Sequence, residues 1–343
     1  MVNVALPMTD KVPSVSVLVP TYNDGACLDV ALRSLQAQSF SDFEVLVSDD
    51  AGSDGSVSAA RASFAGDHRF RFITQPANLG MTQNWNAALS VARGAAIMKL
   101  DGDDAYHPQT LERLRKAMDR HQADIAFCRT EYSDAVLQWT GEYKGEQWLR
   151  VNGINPALEH ALPGSACYRL CFYDRQLWHS NAFMVSRGLL ERLGGWDERW
   201  GCASDSDLIL RLLETNHTVV HCPYVGVRYR LRDGSVSHRF RRNAWLPKEV
   251  AAIHLLSLRR QQQRGVRLDG RLRRQWYRYW VIWRRTNAPQ ELPHSDLPAA
   301  FRVKAPAPPL SVRVAGYLRD RISNGRRLIV RGLSRLPLSS PRP

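Results

Sequence analysis

Three carboxylates crowd the end of an apolar run in "MKLDGDDAYHP", residues 98–108: Asp101, Asp103 and Asp104. Packed this closely they repel one another, and each loses solvation as it nears a sheet edge. A divalent cation, Mg²⁺ or Mn²⁺, relieves both costs, because hard cations take oxygen ligands. The alternative is a polar strand-to-helix turn whose aspartates cap the next helix. Two further acidic groups share the pattern. Asp49 and Asp50 close the apolar run "FEVLVSD", and Asp205 with Asp207 opens the helical stretch "SDSDLILRLL". A carboxylate at Asp205 can take a proton from a hydroxyl as a general base. Its competing role is that of a plain helix N-cap.

The elements that must hold these groups are legible as alternating periods. "VSVLVP" (15–20), "FEVLVSD" (43–49), "FRFIT" (70–74) and "AAIMKL" (95–100) read as strands, followed by "DIAFC" (124–128), "AFMVS" (182–186) and "HTVVHC" (217–222). Between them, helical spacing joins Leu28, Leu32 and Leu35, then Ala87, Ala88 and Val91, then Leu111, Leu114 and Met118. A fourth helix starts near Asp205 and carries Leu208, Leu212 and Leu213. The alternation predicts an α/β fold with a Rossmann-like, mostly parallel sheet and helices on both faces. Ligands of such sheets bind beyond the carboxyl ends of the strands. There the chain places Pro20-Thr21-Tyr22-Asn23-Asp24, then Ser48-Asp49-Asp50 with "AGSDGS", and then the acidic cluster. Polar groups thus gather on one edge three times. Asp49 reads as a strand end, and Asp54 within "SDGS" as turn chemistry.

Five motifs in this order resemble the family-2 glycosyltransferases of the GT-A fold, over roughly residues 14–240. They are "SVSVLVPTYND" with "FEVLVSDDAGSDGS", "NLGMTQNWNAAL" (78–89), "LDGDD", "LGGWDERWGCASDSDLILRL" (193–212) and "YRLRDGSVS" (229–237). The resemblance implies nucleotide contacts from Pro20, Thr21, Tyr22, Asn23, Asp50, Asn78, Asp101 and Asp103. It makes Asp104 the direct metal ligand, with Asp103 beside it, and Asp205 the catalytic base. Trp196, Asp197 and Asp207 fall on the acceptor side, where Trp196 reads equally as core packing or as a platform for a sugar. Arg230, Arg232, Ser235 and Ser237 match a loop that closes over the diphosphate. Ser204 stands where the motif commonly has Glu, and Arg232 where a His is frequent, so no third protein ligand to the metal is expected there.

The implied reaction moves a sugar from a nucleotide-diphospho-sugar to an acceptor hydroxyl, on a glycan or glycolipid of a bacterial surface. Negative charge builds on the departing phosphate, where a divalent cation acts as a Lewis acid and Arg230 or Arg232 adds positive charge. One base and in-line attack imply inversion at the anomeric carbon. Asp205, at the positive end of its helix, is expected to stay ionised.

A net charge of +14 and a pI near 9.9 call for an anionic partner or a basic segment. The excess lies in the back third of the chain. Accordingly the sequence divides into a GT-A domain at 14–245 (nucleotide half 14–104, acceptor half 105–245), a basic Trp-rich helical extension at 246–288, and a Pro-rich linker with a basic tail at 289–343. Leu268, Leu272, Trp276, Trp280 and Trp283 share one helical face amid arginines, fitting either packing on the catalytic domain or an anionic membrane surface. Besides a nucleotidyltransferase, whose basic Gly-rich phosphate loop is missing from "PTYNDGACL", two other classes compete: a non-catalytic sugar-nucleotide-binding relative and a basic nucleic-acid-binding protein. Intact Asp104 and Asp205 speak against the first. Against the second stand the acidic edge and the lack of a recognised nucleic-acid module, so no nucleic-acid partner is expected. The start "MVNVALPMTDK" lacks a basic segment followed by an apolar core, and no run approaches the length of a spanning helix. The six scattered cysteines read as free thiols, and a cytoplasmic place, peripheral on the inner membrane face, is expected.

Overall fold

The computed structural model describes residues 11–142, 149–150, 153–174, 178–231 and 245–267, and residues 269, 270, 272, 274, 275, 278 and 279. The first half alternates without interruption: β1 (Val15–Thr21), α1 (Ala26–Gln36), β2 (Phe43–Asp49), α2 (Ser56–Ser63), β3 (Phe70–Thr74), α3 (Met81–Ser90) and β4 (Ala96–Lys99). The second half carries β5 (Ala105–Tyr106), α4 (Thr110–His121), β6 (Ile125–Ser133), β7 (Trp139–Glu142) and β8 (His160–Pro163). It continues through α5 (Gly164–Asp174), β9 (Phe183–Ser186), α6 (Arg187–Arg192), α7 (Ser204–Leu213), β10 (Thr218–Arg230) and α8 (Trp245–Gln263).

The strands form one mixed sheet in the order β3-β2-β1-β4-β9-β6-β10-β5, with β7 paired to β6 and β8 to β10. β3, β2, β1 and β4 run parallel. β9 is inserted against them, antiparallel to both β4 and β6. β10 resumes the parallel direction beside β6, with register shifts near Val225 that bend it.

Side chains alternate across the strands, so the sheet has two cores. Val17, Val19, Val45, Val47 and Met98 pack beneath α1 and α4 through Leu28, Leu32, Leu111 and Leu114. Leu18, Leu46 and Ile97 face α3, α7 and α8 through Trp85, Leu208 and Ile253. The period of two therefore sends Lys99, two residues beyond Ile97, to the face of α3 and α7. The six cysteines are free.

The boundary expected at residue 245 is not where the packing ends. α8 buries Ala251, Ala252, Ile253, Leu255 and Leu258 in the same core as α7, and Leu272 and Tyr279 join them. The Tyr279 ring stacks on His254 at 4.1 Å. For these residues the sequence's first alternative, packing on the catalytic domain, is what the structure shows. Leu268, Trp276, Trp280, Trp283 and the segment 289–343 lie outside the described residues.

Candidate active site

The nucleotide-side loops are stitched together by their own polar groups. Asn23, at φ 56°, accepts N–H bonds from Ser53 (2.8 Å) and Asp54 (3.2 Å) through its Oδ1. Asp54 Oδ2 in turn accepts from the Gly25 N–H at 2.8 Å. Thr21 donates its hydroxyl to Asp24 Oδ2 at 2.9 Å. That carboxylate sits against Gly102, where an added Cβ would come within 2.4 Å of it. A side chain at 102 would displace the Asp24 carboxylate from its place between the loops after β1 and β4. Asp50 is buried, and its two oxygens accept the N–H groups of Leu79 (2.7 Å) and Gly80 (3.0 Å), which fixes the entry to α3. Pro20 is buried, whereas Tyr22 is 51% exposed and Asn78 is exposed beside this rim.

α3 also holds the segment that leads into α7. Asn86 donates to the Trp196 carbonyl at 2.8 Å and accepts from its N–H at 3.0 Å. The Thr82 hydroxyl reaches the Trp200 carbonyl at 3.1 Å. From the other direction, buried Glu249 of α8 accepts the N–H groups of Gly201 (2.9 Å) and Ala203 (3.0 Å). The turn that launches α7, and hence Asp205, is thus gripped between α3 and α8.

At the centre stands Lys99, 2% exposed. Its ammonium donates to Asp101 Oδ1 at 2.6 Å, lies 3.9 Å from Asp205 Oδ2 and sits 4.1 Å from the centre of the Trp85 ring. Burial opposes that charge, but Asp101 and Asp205 outweigh it and hold the ammonium above the ordinary lysine range. Burial likewise pushes Asp101 up, yet Lys99, His179 and Asn181 together bring its carboxyl below the usual range. Asp205 goes the other way. Burial raises it, with the charge of Asp101 adding, against the pull of Lys99 and hydrogen bonds from Trp196 and Ser180. Desolvation thus opposes the helix-end effect at Asp205.

The loop before β9 closes the site with His179, Ser180 and Asn181. Burial pushes His179 down to about 4, so it faces Asp101 as a neutral ring. Asn181 is fully buried and donates its amide to Asp104 Oδ2 at 2.5 Å.

Several sequence expectations change at this resolution of detail. Asp104, expected as the direct metal ligand, is fully buried, and its Oδ1 accepts the Arg230 N–H at 2.9 Å while Asn181 takes Oδ2. Burial, with the nearby charges of Asp103 and Asp101, raises its carboxyl well above the usual range. It is a bracket between β10 and the loop before β9. Trp196, one of whose two readings was a sugar platform, is 2% exposed, packs edge-on to Trp85 and donates its indole N–H to Asp205 Oδ1 at 3.2 Å. Asp207, expected at the acceptor, is 2% exposed and bonded to Arg211 at 2.6 Å. Asp197 pairs with exposed Arg199 at 2.7 Å on the rim. Arg230 is buried; its Nε donates to the Asp103 carbonyl at 2.7 Å and Nη1 to the Ala135 carbonyl, while Nη2 has no partner. Arg232, Ser235 and Ser237 lie outside the described residues.

Among the described residues no three His, Cys, Asp or Glu side chains converge as a protein-only metal cage. The half-buried carboxylate of Asp103 lies in the motif between Asp101, which is held by Lys99, and Asp104, which is held by Asn181 and Arg230. That set fits a hard cation held by one or two carboxylates and completed by substrate phosphates. A cavity of about 840 Å³ lies elsewhere, at the opposite end of β2 beside Phe43, Glu44, Arg69 and Arg93. Its Glu44 is tied to Ser16, Arg71 and Arg93, as a structural ion pair would be.

Sequence reasoning passed over Lys99, Asn181 and Glu249. A lysine ending an apolar strand was a signal for the first. For the other two nothing local distinguishes them.

A doubly wound sheet with linked nucleotide-side loops and an acidic motif at its carboxyl edge defines a GT-A glycosyltransferase. The profile of Glycosyl transferase family 2 matches residues 16–194, more than half of the chain, and the protein belongs to that family. It is 36% identical over 235 residues to the succinoglycan biosynthesis protein ExoO of Rhizobium meliloti, covering 68% of this chain and 66% of that one. The fold is similar to the mannosyltransferase PcManGT of Pyrobaculum calidifontis in complex with GDP-Man and Mn²⁺, with a TM-score of 0.56 and 20% identity over 96% of this chain and 84% of that one. It is also similar to S. aureus TarS 1-349 in complex with UDP-GlcNAc, with a TM-score of 0.60 and 18% identity over 78% and 72% of the two chains. The chain spans 23% to 50% of the length of the first curated relatives it matches.

Proposed function

We propose that the protein transfers a hexosyl group, with inversion, from a nucleotide-diphospho-sugar to an acceptor hydroxyl on a growing surface polysaccharide or glycolipid. The observation that carries this reading is the meeting of Asp101 and Asp205 on the two sides of the Lys99 ammonium. It joins the motif at the end of β4 to the carboxylate that opens α7. The donor's base and ribose are assigned to the exposed rim of Tyr22, Asn23 and Asn78, with buried Thr21 and Asp50 holding the loops behind it. Asp103, with the donor diphosphate, would hold Mg²⁺ or Mn²⁺, which supplies Lewis-acid stabilisation of the leaving phosphate. Arg230 Nη2, a buried guanidinium nitrogen without a partner, has donors available for a phosphate oxygen.

Asp205 takes the acceptor proton. Its raised carboxyl makes it the stronger base, and Trp196 holds its Oδ1 so that the carboxylate plane is fixed. The similarity to a succinoglycan biosynthesis protein supports a polysaccharide acceptor. No helix among the described residues is long and apolar enough to cross a membrane.

Release of nucleoside diphosphate from a panel of UDP-, GDP- and dTDP-sugars, with and without Mn²⁺, tests the reading. Asp205→Asn should lower turnover about 10²–10⁴-fold while donor affinity stays near wild type. Equal loss of affinity would return Asp205 to a structural cap.

A further inference from the structure

Lysine is a poor residue for a strand interior, and Lys99 is 2% exposed at the end of the otherwise apolar β4. A buried ammonium survives only with charge partners. Here the partners are two carboxylates from different parts of the chain, and they are held differently. Asp101 is a close hydrogen bond at 2.6 Å, whereas Asp205 Oδ2 stands off at 3.9 Å. The longer contact supplies positive charge without occupying the Oδ2 lone pair, and Trp196 engages the other oxygen. Resting on the reading of Asp205 as base, we propose that Lys99 is a positioning residue for the transfer reaction, holding the motif carboxylate of Asp101 and the base carboxylate of Asp205 about one buried ammonium.

Three features fit this role. The Trp85 face, 4.1 Å from Nζ, restrains a side chain that is otherwise flexible. A compact ammonium can serve two carboxylates at unequal distances, which the planar fork of an arginine does poorly. Among the described residues, the other groups named at Asp205 are an anion and neutral donors. Asp101 comes from the loop after β4 and adds negative charge. Ser180 and Trp196 come from the loops before β9 and α7 as neutral donors. Cys202, in the turn before α7, has its thiol pushed up to about 12 by burial and is neutral. His179, beside Asp101 and Lys99, is neutral as well.

The test is a carboxyl ¹³C NMR titration of the full-length protein, with the Asp205 resonance assigned by its loss in Asp205→Asn. In Lys99→Met the Asp205 midpoint should rise by about 1–3 pH units, the effect of removing an opposite charge at this range. In Asp101→Asn it should move the other way, because the competing negative charge is gone and the ammonium is left to Asp205. If Lys99 only fills space, Lys99→Met lowers the melting temperature and leaves the midpoint in place, which overturns the proposal. Should Lys99→Met fail to fold, Lys99→Gln decides in its place: a raised Asp205 midpoint supports the proposal and an unmoved one overturns it. Hydrolysis of UDP-GlcNAc and GDP-mannose by Asp205→Asn separates the two readings. Undiminished turnover there removes the base assignment itself, whereas a dead Asp205→Asn with an unmoved midpoint in Lys99→Met removes only the role of Lys99.

Discussion

The indole N–H of Trp196 donates to Asp205 Oδ1 across 3.2 Å, and the same indole is wedged edge-on against Trp85 at 5.7 Å. A residue with two readings in the sequence instead orients the Asp205 carboxylate. Trp196→Phe keeps a ring in the core and removes the donor. Trp196 lowers the Asp205 carboxyl against the larger upward push of burial. Without it the carboxyl rises further, and the acid limb of the kcat profile should move to higher pH by about one unit. Rates measured well above that limb should approach wild type; a uniform loss at all pH values would contradict the assignment.

Asp103 and Asp104, neighbours in the motif, should fail in different ways. Asp103→Ala should end the tightening of nucleoside diphosphate binding by Mn²⁺, read as loss of the Mn²⁺-dependent rise in melting temperature with nucleoside diphosphate present. Asp104→Ala leaves the Arg230 N–H and the Asn181 amide without their acceptor, at a cost of about 1–3 kcal/mol each. Calorimetric melting with and without Mn²⁺ distinguishes them, and identical behaviour would refute the division.

Asp207 is expected to matter for stability alone. It joins Arg211 at 2.6 Å within α7 and lies 3.9 Å from Arg260 of α8. Asp207→Ala leaves these guanidinium groups short of a carboxylate and should cost about 3 kcal/mol by urea denaturation. Donor hydrolysis by the folded fraction should persist; its loss would restore Asp207 to the acceptor site.

Much of this architecture is written in short-range pattern. β2 and β3 fall on the residues that their Val, Ile and Phe content marks; β2 is buried along its whole length, and β3, at the sheet edge, buries Phe70 and Ile73. β10 runs eight residues past Cys222, where Pro223 and Gly226 hide a strand that register shifts allow to continue. α5, "GSACYRLCFYD", has no clean polar stripe and gave no helical signal. The site divides along the same line. The Asp101–Asp104 cluster and Asp205 declare themselves by type and position. The roles of Trp196, Asp104 and Asp207 depend on burial, which composition does not reveal. Asn181 and Glu249 are recruited by contacts across the fold and have no local signature.

Because Leu272 and Tyr279 pack into the catalytic core, a truncation that preserves the domain must fall beyond them. Removing residues from about 290 onward should leave a folded protein that still hydrolyses donor. If the arginine-rich tail is a membrane tether, the full-length protein sediments with anionic vesicles in a salt-sensitive way and the truncation does not. Vesicle binding absent from the intact protein would exclude the tether.

The reversal of β9 has a consequence for where this enzyme can be altered. In the parallel strands the chain reaches the pocket on leaving the sheet, so the pocket walls are sequence that follows a strand. β9 arrives at that rim on its way in, and His179, Ser180 and Asn181 are sequence that precedes one. Its ladder with β4, Met184 to Met98 and Ser186 to Ala96, lies wholly downstream of them. A graft that recasts one pocket wall can therefore be joined ahead of β9 without shifting the register of the central sheet.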